Sequence, residues 1–207
     1  MTNQPTLSDA DRDRIRKAVA AAELRTAGEI FTVVAAASDD YRSIPLLWAT
    51  LVALVTPLPL ILLTRLPALE IYLAELAVFI GLAVILSWEG MTRFVVPKRV
   101  KRERAHARAV EQFLAHGLHT TEARTGVLIF VSLAERYAEI IADAGIAGKV
   151  GAGVWDEALQ KLLAEVKAGR LADGLVAAIG MAGTVLATHF PPRPGDRNEL
   201  PNDLILL

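Results

Sequence analysis

From Ile44 to Thr64 the chain carries no charged residue. No other feature limits the possible folds as strongly. At about 1.5 Å rise per residue the run makes a helix roughly 30 Å long, the thickness of a bilayer's hydrocarbon core. Pro57 and Pro59 fall inside it. They would break a helix in water but only kink one in a membrane, where neighbouring groups satisfy the freed carbonyls. A second apolar segment runs from about Ala68 to Trp88, with Glu70 and Glu75 in its first part. Only Arg65, Leu66 and Pro67 separate the two, so the spans must be antiparallel. Tyr41, Trp48, Tyr72 and Trp88 lie near the four ends, where an interfacial aromatic belt would sit. The second segment has two readings. It is a full span with Glu75 reaching back to the interface or lining an oligomer contact, or it is a re-entrant segment; the alternative for the pair is a helical hairpin buried in a soluble core.

Flanking charge sets the orientation. Arg42 lies on one side of the hairpin and Arg93, Lys98, Arg99, Lys101, Arg102 and Arg104 on the other, while the turn holds only Arg65. The positive-inside rule then puts both termini in the cytoplasm of a two-pass protein of the cell inner membrane. An even number of spans also returns the chain to the side it left. Residues 1–43 and 91–190 can therefore build one domain, interrupted by a hairpin over 44–90 and followed by a proline-rich tail over 191–207.

Composition narrows the chemistry. A chain of 207 residues allows one ordinary domain beside the hairpin. There is no cysteine, which excludes disulfides, thiol nucleophiles and cysteine-based zinc sites. The net charge is −1, so no nucleic-acid partner is expected. Met1 to Arg25 carries no cleavable signal pattern, and the first span is expected to act as its own insertion signal.

The soluble pieces alternate helix and strand. Ser8 and Asp11 form a capping box, with Leu7 as a hydrophobic staple, before a helix ending near Arg25. Gly28–Ala35 and Gly126–Ser132 are β-branched and apolar without alternation, as strands buried on both faces are. A helix is predicted after Pro97, running to about His116 and stopped by Gly117. Leu133–Arg136 is a turn and Tyr137–Ala142 a hairpin partner strand. Gly145–Gly153 reads as a glycine-rich loop. Helices follow over Asp156–Ala168 and, capped by Asp173, to about His189.

The stretch Thr125–Arg136, then Glu139-Ile-Ile, a glycine-rich turn and two helices, resembles the TPM domain. The Gly28-Glu29-Ile30 strand, the Phe113–Gly117 helix end and Ala168–Leu175 fit the same pattern. The resemblance is to a bacterial branch with a membrane hairpin inserted after the first strand. It implies a three-layer α/β/α sandwich. Family members include a thylakoid repair factor and an accessory protein of an acetylcholine receptor, and some are acid phosphatases or bind divalent metal. Membrane tethering, the absence of a catalytic constellation and the resemblance together lead us to expect a non-enzymatic module that binds a membrane-protein partner or assists its assembly or turnover. The alternative that the resemblance implies is a metal-dependent acid phosphatase.

Four candidate sites follow. Gly145, Gly148, Gly151 and Gly153 lie between a strand and a helix start, where backbone N–H groups can hold an anion; the alternative is a plain turn with Asp156 capping the helix. By resemblance, acidic residues here, Asp143 and Asp156, would hold a divalent cation, Ca²⁺ or Mg²⁺. The family's glutamate in this turn is replaced by Ala147. The second candidate is Ser132 with Glu135, Arg136 and Glu139, read alternatively as a polar turn with an ion pair. The third is His116 and His119, three apart, with Gly117 at the helix end between them. The fourth is the basic run Arg93, Lys98, Arg99, Lys101, Arg102, Arg104 and Arg108. It is expected to meet anionic lipid headgroups of the bilayer, each cation contributing about 1 kcal/mol.

Overall fold

The computed structural model describes residues 7–88, 91, 94–192 and 198–207. The chain forms two compact units, Met1–Ser38 with Arg102–Leu207, and Asp39–Lys101.

The first unit is a mixed α/β fold around a four-stranded sheet. Helix α1 (Asp9–Glu23) opens it. Its N-terminus is held as the local sequence requires: Asp11 N–H donates to Ser8 Oγ and Ser8 N–H to the Asp11 carboxylate, so two orphan donors are satisfied reciprocally. Strands β1 (Glu29–Ala35), β2 (Gly126–Ser132), β3 (Tyr137–Ala142) and β4 (Ile205–Leu206) lie in the order β3-β2-β1-β4. β1 runs parallel to β2 over its whole length, from Glu29 opposite Gly126 to Ala35 opposite Ser132. β3 returns antiparallel to β2, and β4 is parallel to β1.

A parallel pair cannot be joined by a tight turn. The crossover between β1 and β2 contains the whole second unit and helix α5 (Lys98–Ala115). Both central strands are buried along their entire length, and the side-chain alternation shows why. Ile30, Val34, Val127, Ile129 and Val131 enter one core with Ile15 and Val19 of α1 and residues of helices α7 (Asp156–Lys167) and α8 (Leu171–His189). Phe31, Val33, Ala35, Leu128 and Phe130 enter a second core, closed by Ala109 and Phe113 of α5 and by Leu118. Helices thus cover both faces, and the strands need no polar side. Helix α5 stops at Gly117, whose φ of 69° puts it in the left-handed region that glycine enters without strain.

Thr32, in the middle of β1, interrupts the apolar run. Thr32 is 1% exposed, and its Oγ1 has no hydrogen-bond partner. An unsatisfied buried hydroxyl costs about 1–3 kcal/mol, and valine has nearly the same shape. Thr32→Val is expected to stabilise this unit by about 1 kcal/mol, measured as a higher denaturation midpoint.

The sequence reading differs from the structure at three points. The Gly145–Gly153 stretch is largely wound, with a one-turn helix α6 (Ala144–Ala147) and a 3₁₀ turn at Ala152–Trp155. Neither Asp156 nor Asp173 is a cap: the N-cap positions of α7 and α8 are Trp155 and Arg170, without side-chain capping bonds, and Asp173 instead binds Arg14 at 2.7 Å. The proline-rich tail ends in a strand, because β1 has an open outer edge to pair with.

The second unit is a helical hairpin. Helix α2 (Ser43–Val55) is followed after Thr56 by α3 (Pro57–Leu63), and α4 (Ala68–Leu86) packs back on α2. Thr56 keeps α-helical dihedrals, so the prolines interrupt the hydrogen-bond ladder more than the path of the chain. Thr50 and Thr56 hydroxyls donate to the carbonyls four residues back, at 2.8 and 2.9 Å. The buried residues of α2 are Pro45, Ala49 and Ala53; the two alanines, four apart, let the helices approach closely. Leu54, Ile61, Leu62, Leu69 and Val84 face outward. Three helical stretches are long and apolar enough to cross a membrane by length and composition alone: Ser43–Leu63, Ala68–Leu86 and Leu171–His189. They differ in burial. Half of the third lies inside the fold, against 11% of the first and none of the second.

Candidate functional site

Asp143 sits between β3 and α6 and is 5% exposed. Its carboxylate is fully engaged. Arg124 Nε donates to Oδ2 at 2.8 Å and Arg124 Nη2 to Oδ1 at 3.0 Å, a two-point pair that suits the flat guanidinium. Oδ1 also accepts the Ala144 N–H at 2.6 Å, capping α6. Arg124 reaches this position from a left-handed backbone, φ 55°. Burial acts to raise the Asp143 carboxyl. The Arg124 bonds, the Ala144 N–H and the charges of Arg124 and His119 outweigh it and hold the carboxyl below its ordinary value.

That balance makes a prediction. A carboxylate whose folded pKa is depressed stabilises the fold above its unfolded pKa, and the contribution is lost as pH falls through the folded value. Arg124→Ala removes the largest lowering influence. It is expected to raise the Asp143 pKa and move acid unfolding to higher pH, read by following the Asp143 carboxyl through an NMR titration.

Of the glycines of this corner, Gly145 serves packing. A Cβ on Gly145 would lie 2.5 Å from Arg124 O and 2.6 Å from Ala123 O, so only glycine lets α6 pass this close to the β2 approach. The Gly145 N–H donates to Arg124 O and the Gly148 N–H to Ala144 O. These two amides are therefore not presented to an anion. Gly151 precedes the 3₁₀ turn and accepts from Val154 N–H, and a Cβ on Gly153 would lie 3.6 Å from Asp156 Oδ2.

The residues do not fit the divalent cation implied by the family resemblance. Hard cations take six or more oxygens, with carboxylates free to turn towards them. Asp143 has both oxygens committed, Ala147 contributes none, and Asp156 lies at the start of α7. Among the described residues no three His, Cys, Asp or Glu converge as metal ligands.

The other candidates take structural partners. Ser132 is wholly buried; its Oγ donates to Glu135 and accepts from Ser38 Oγ at 2.8 Å, tying the end of β1 to the β2–β3 turn. Glu139 accepts from Tyr137 Oη at 2.9 Å and meets His106 Nδ1 at 2.9 Å, an arrangement that sequence spacing could not show because His106 comes from α5. Burial and the Glu139 bond push the Tyr137 hydroxyl's pKa up. The two histidines three apart are separated: His116 stacks on Phe31, ring centroids 4.5 Å apart, while His119 lies close enough to influence Asp143. In the basic run, Lys98, Arg99, Arg102 and Arg104 are exposed, Lys101 is half-buried, and Arg108 is half-buried and pairs with Glu111 at 2.8 Å. Arg93 lies outside the described residues.

Three comparisons bear on this arrangement. No curated protein matches the chain. The NMR structure of the BA42 protein from the psychrophilic bacterium Bizionia argentinensis is similar, with a TM-score of 0.63 and 21% identity over 100% of this chain and 99% of that one. At that identity the likeness speaks for the fold alone. The family model of the TPM domain matches residues 90–185, a stretch that takes in α5, β2, β3, α7 and most of α8. Residues 90–185 are therefore similar to the TPM domain, and they lie in a chain with a mixed α/β fold.

Proposed function

We propose that this chain is a two-pass inner-membrane protein in which a transmembrane hairpin interrupts a three-layer α/β/α domain of TPM type. In this reading both termini are cytoplasmic, and the domain is a non-enzymatic module that binds a membrane-protein partner or assists its assembly or turnover. The observation that carries the reading is the outward apolar surface of α2–α4, which water would not tolerate in a hairpin buried on so few side chains. It is supported by the uneven basic flanks and by the structural use of Asp143, Ser132 and Glu139 described above. The exposed basic residues Lys98, Arg99, Arg102 and Arg104, with Lys101 and Arg108, meet anionic headgroups in this reading.

Two measurements test it. Reporter fusions at Met1, near Arg65 and at Leu207 should report cytoplasmic, external and cytoplasmic locations; any other pattern defeats the topology. The full chain purified in mild detergent should hold a stoichiometric membrane-protein partner and hydrolyse no phosphate ester. Metal-dependent hydrolysis abolished by Asp143→Asn would overturn the non-enzymatic role.

A further inference from the structure

The C-terminal segment of the described chain closes the outer edge of the sheet. Val33 lies opposite Ile205 and Val34 opposite Leu206. Leu207 N–H donates to Val34 O at 3.0 Å and Ala36 N–H to Leu207 O at 2.8 Å. Leu204 packs on one core, and Leu200 and Ile205 on the other. A strand of two residues is a weak closure by itself. Upstream, the same segment walls a cavity of about 400 Å³ whose polar lining, among the described residues, includes Glu23, Thr26, Glu29, Asn198 and Asn202.

Two carboxylates line this cavity, and the charge of one acts on the other. Glu23, the last residue of α1, accepts the Ile30 N–H on Oε1 at 3.1 Å; its Oε2 is buried without a well-formed hydrogen bond. Glu29 opens β1, is 6% exposed, and accepts the Glu199 N–H at 3.2 Å. The Glu199 carboxylate in turn accepts the Glu122 N–H at 3.1 Å. The groups acting on the charge of Glu23 are thus the Ile30 amide and the Glu29 carboxylate from β1 and the Asn202 amide from the C-terminal segment. The segment meets Glu29 through the Glu199 backbone N–H, while the Glu199 carboxylate accepts from Glu122 N–H. Two carboxylates sharing a desolvated site cannot both ionise cheaply, and one proton relieves the conflict.

We propose that residues 198–207 form a releasable strap on the edge of β1, latched while Glu23 is protonated beside Glu29 and loosened when both are ionised. Burial pushes the Glu23 carboxyl up to about 7; the Ile30 N–H opposes this, the Glu29 charge reinforces it, and Asn202 opposes it. In the released form water returns and the carboxyl moves back towards 4.5. The docked form therefore holds more protons between these values. Docking weakens as pH rises through that window and stays weak above it. Each unit of pKa difference between the two forms changes the docking constant about tenfold. Release uncovers the outer N–H and C=O groups of β1, the surface on which another strand can add.

The test is hydrogen–deuterium exchange on the full-length protein at pH 5.5 and 8.5, read as protection factors corrected for intrinsic exchange. Residues 198–207 should lose at least about tenfold in protection at the higher pH, while β2 keeps its own. In Glu23→Gln, which keeps a neutral hydrogen-bonding group, strap protection should be the same at both pH values. Equal protection in the unaltered protein, or an undiminished loss in Glu23→Gln, overturns the proposal. If β2 protection shows that Glu23→Gln has not folded, Glu29→Gln decides. It removes the like charge, so it must shrink the pH response, and an unchanged response overturns the latch.

Discussion

Phe130→Ala is expected to destabilise the α/β unit by about 3–5 kcal/mol, the usual cost of emptying an aromatic site in a core that cannot collapse around it. Phe130 is wholly buried in the middle of β2, among Phe31, Leu128, Phe113 and Leu118. That core is closed by Ala109 and Phe113 of α5 and by Leu118, and Ala109 is too small to fill the space. The effect should appear as a loss of exchange protection in both β1 and β2, since the two strands are paired from end to end. By contrast, Leu24→Ala should change stability by no more than about 0.5 kcal/mol, because Leu24 is 82% exposed. Protection that survived Phe130→Ala would mean that the second core does not hold the sheet.

Leu54→Arg is expected to be the most disruptive change in the hairpin. Leu54 is 69% exposed and lies near the middle of the Ser43–Leu63 stretch. If that stretch crosses a bilayer, an arginine there meets hydrocarbon at a cost of about 2.5–3.5 kcal/mol, roughly a hundredfold in the insertion equilibrium. The chain should then be extracted from membranes by alkaline carbonate, whereas Leu24→Arg in the α/β unit should leave it membrane-bound. A Leu54→Arg protein that stays fully inserted would argue against the transmembrane reading of α2–α3.

Much of the fold was legible because it rests on local physics. The capping box at Ser8 and Asp11 involves residues three apart, and the helix it starts follows directly. Mostly apolar runs without alternation at Glu29–Ala35 and Gly126–Ser132 announce strands with helices on both faces, and the structure supplies those helices. The wound form of Gly145–Gly153 was less legible. Glycine lowers helix propensity, but Asp143 caps the turn and the carbonyls of Ala123 and Arg124 force it close, effects that lie outside the local composition.

The candidate site was legible only in its residues. Asp143 and Arg124 are 19 positions apart and meet because β3 folds back on β2. His106 meets Glu139 because α5 packs near β3, and Glu23 meets Glu29 and the C-terminal segment around one cavity. A carboxylate in a sequence can serve as ligand, cap, ion-pair partner or proton store, and partners distant along the chain decide between them.

By itself, the sequence determined where apolar length and periodicity place helices and strands, and that a charge-free run interrupts a mixed α/β domain. These properties are carried by neighbouring residues, and burial follows from them. The tertiary structure alone decided that the proline-rich tail returns as β4 and that Asp143 is spent on Arg124. It likewise brought Glu23 and Glu29 together in one desolvated site. Each of these depends on groups brought together by the fold, and local chain propensity does not encode that juxtaposition.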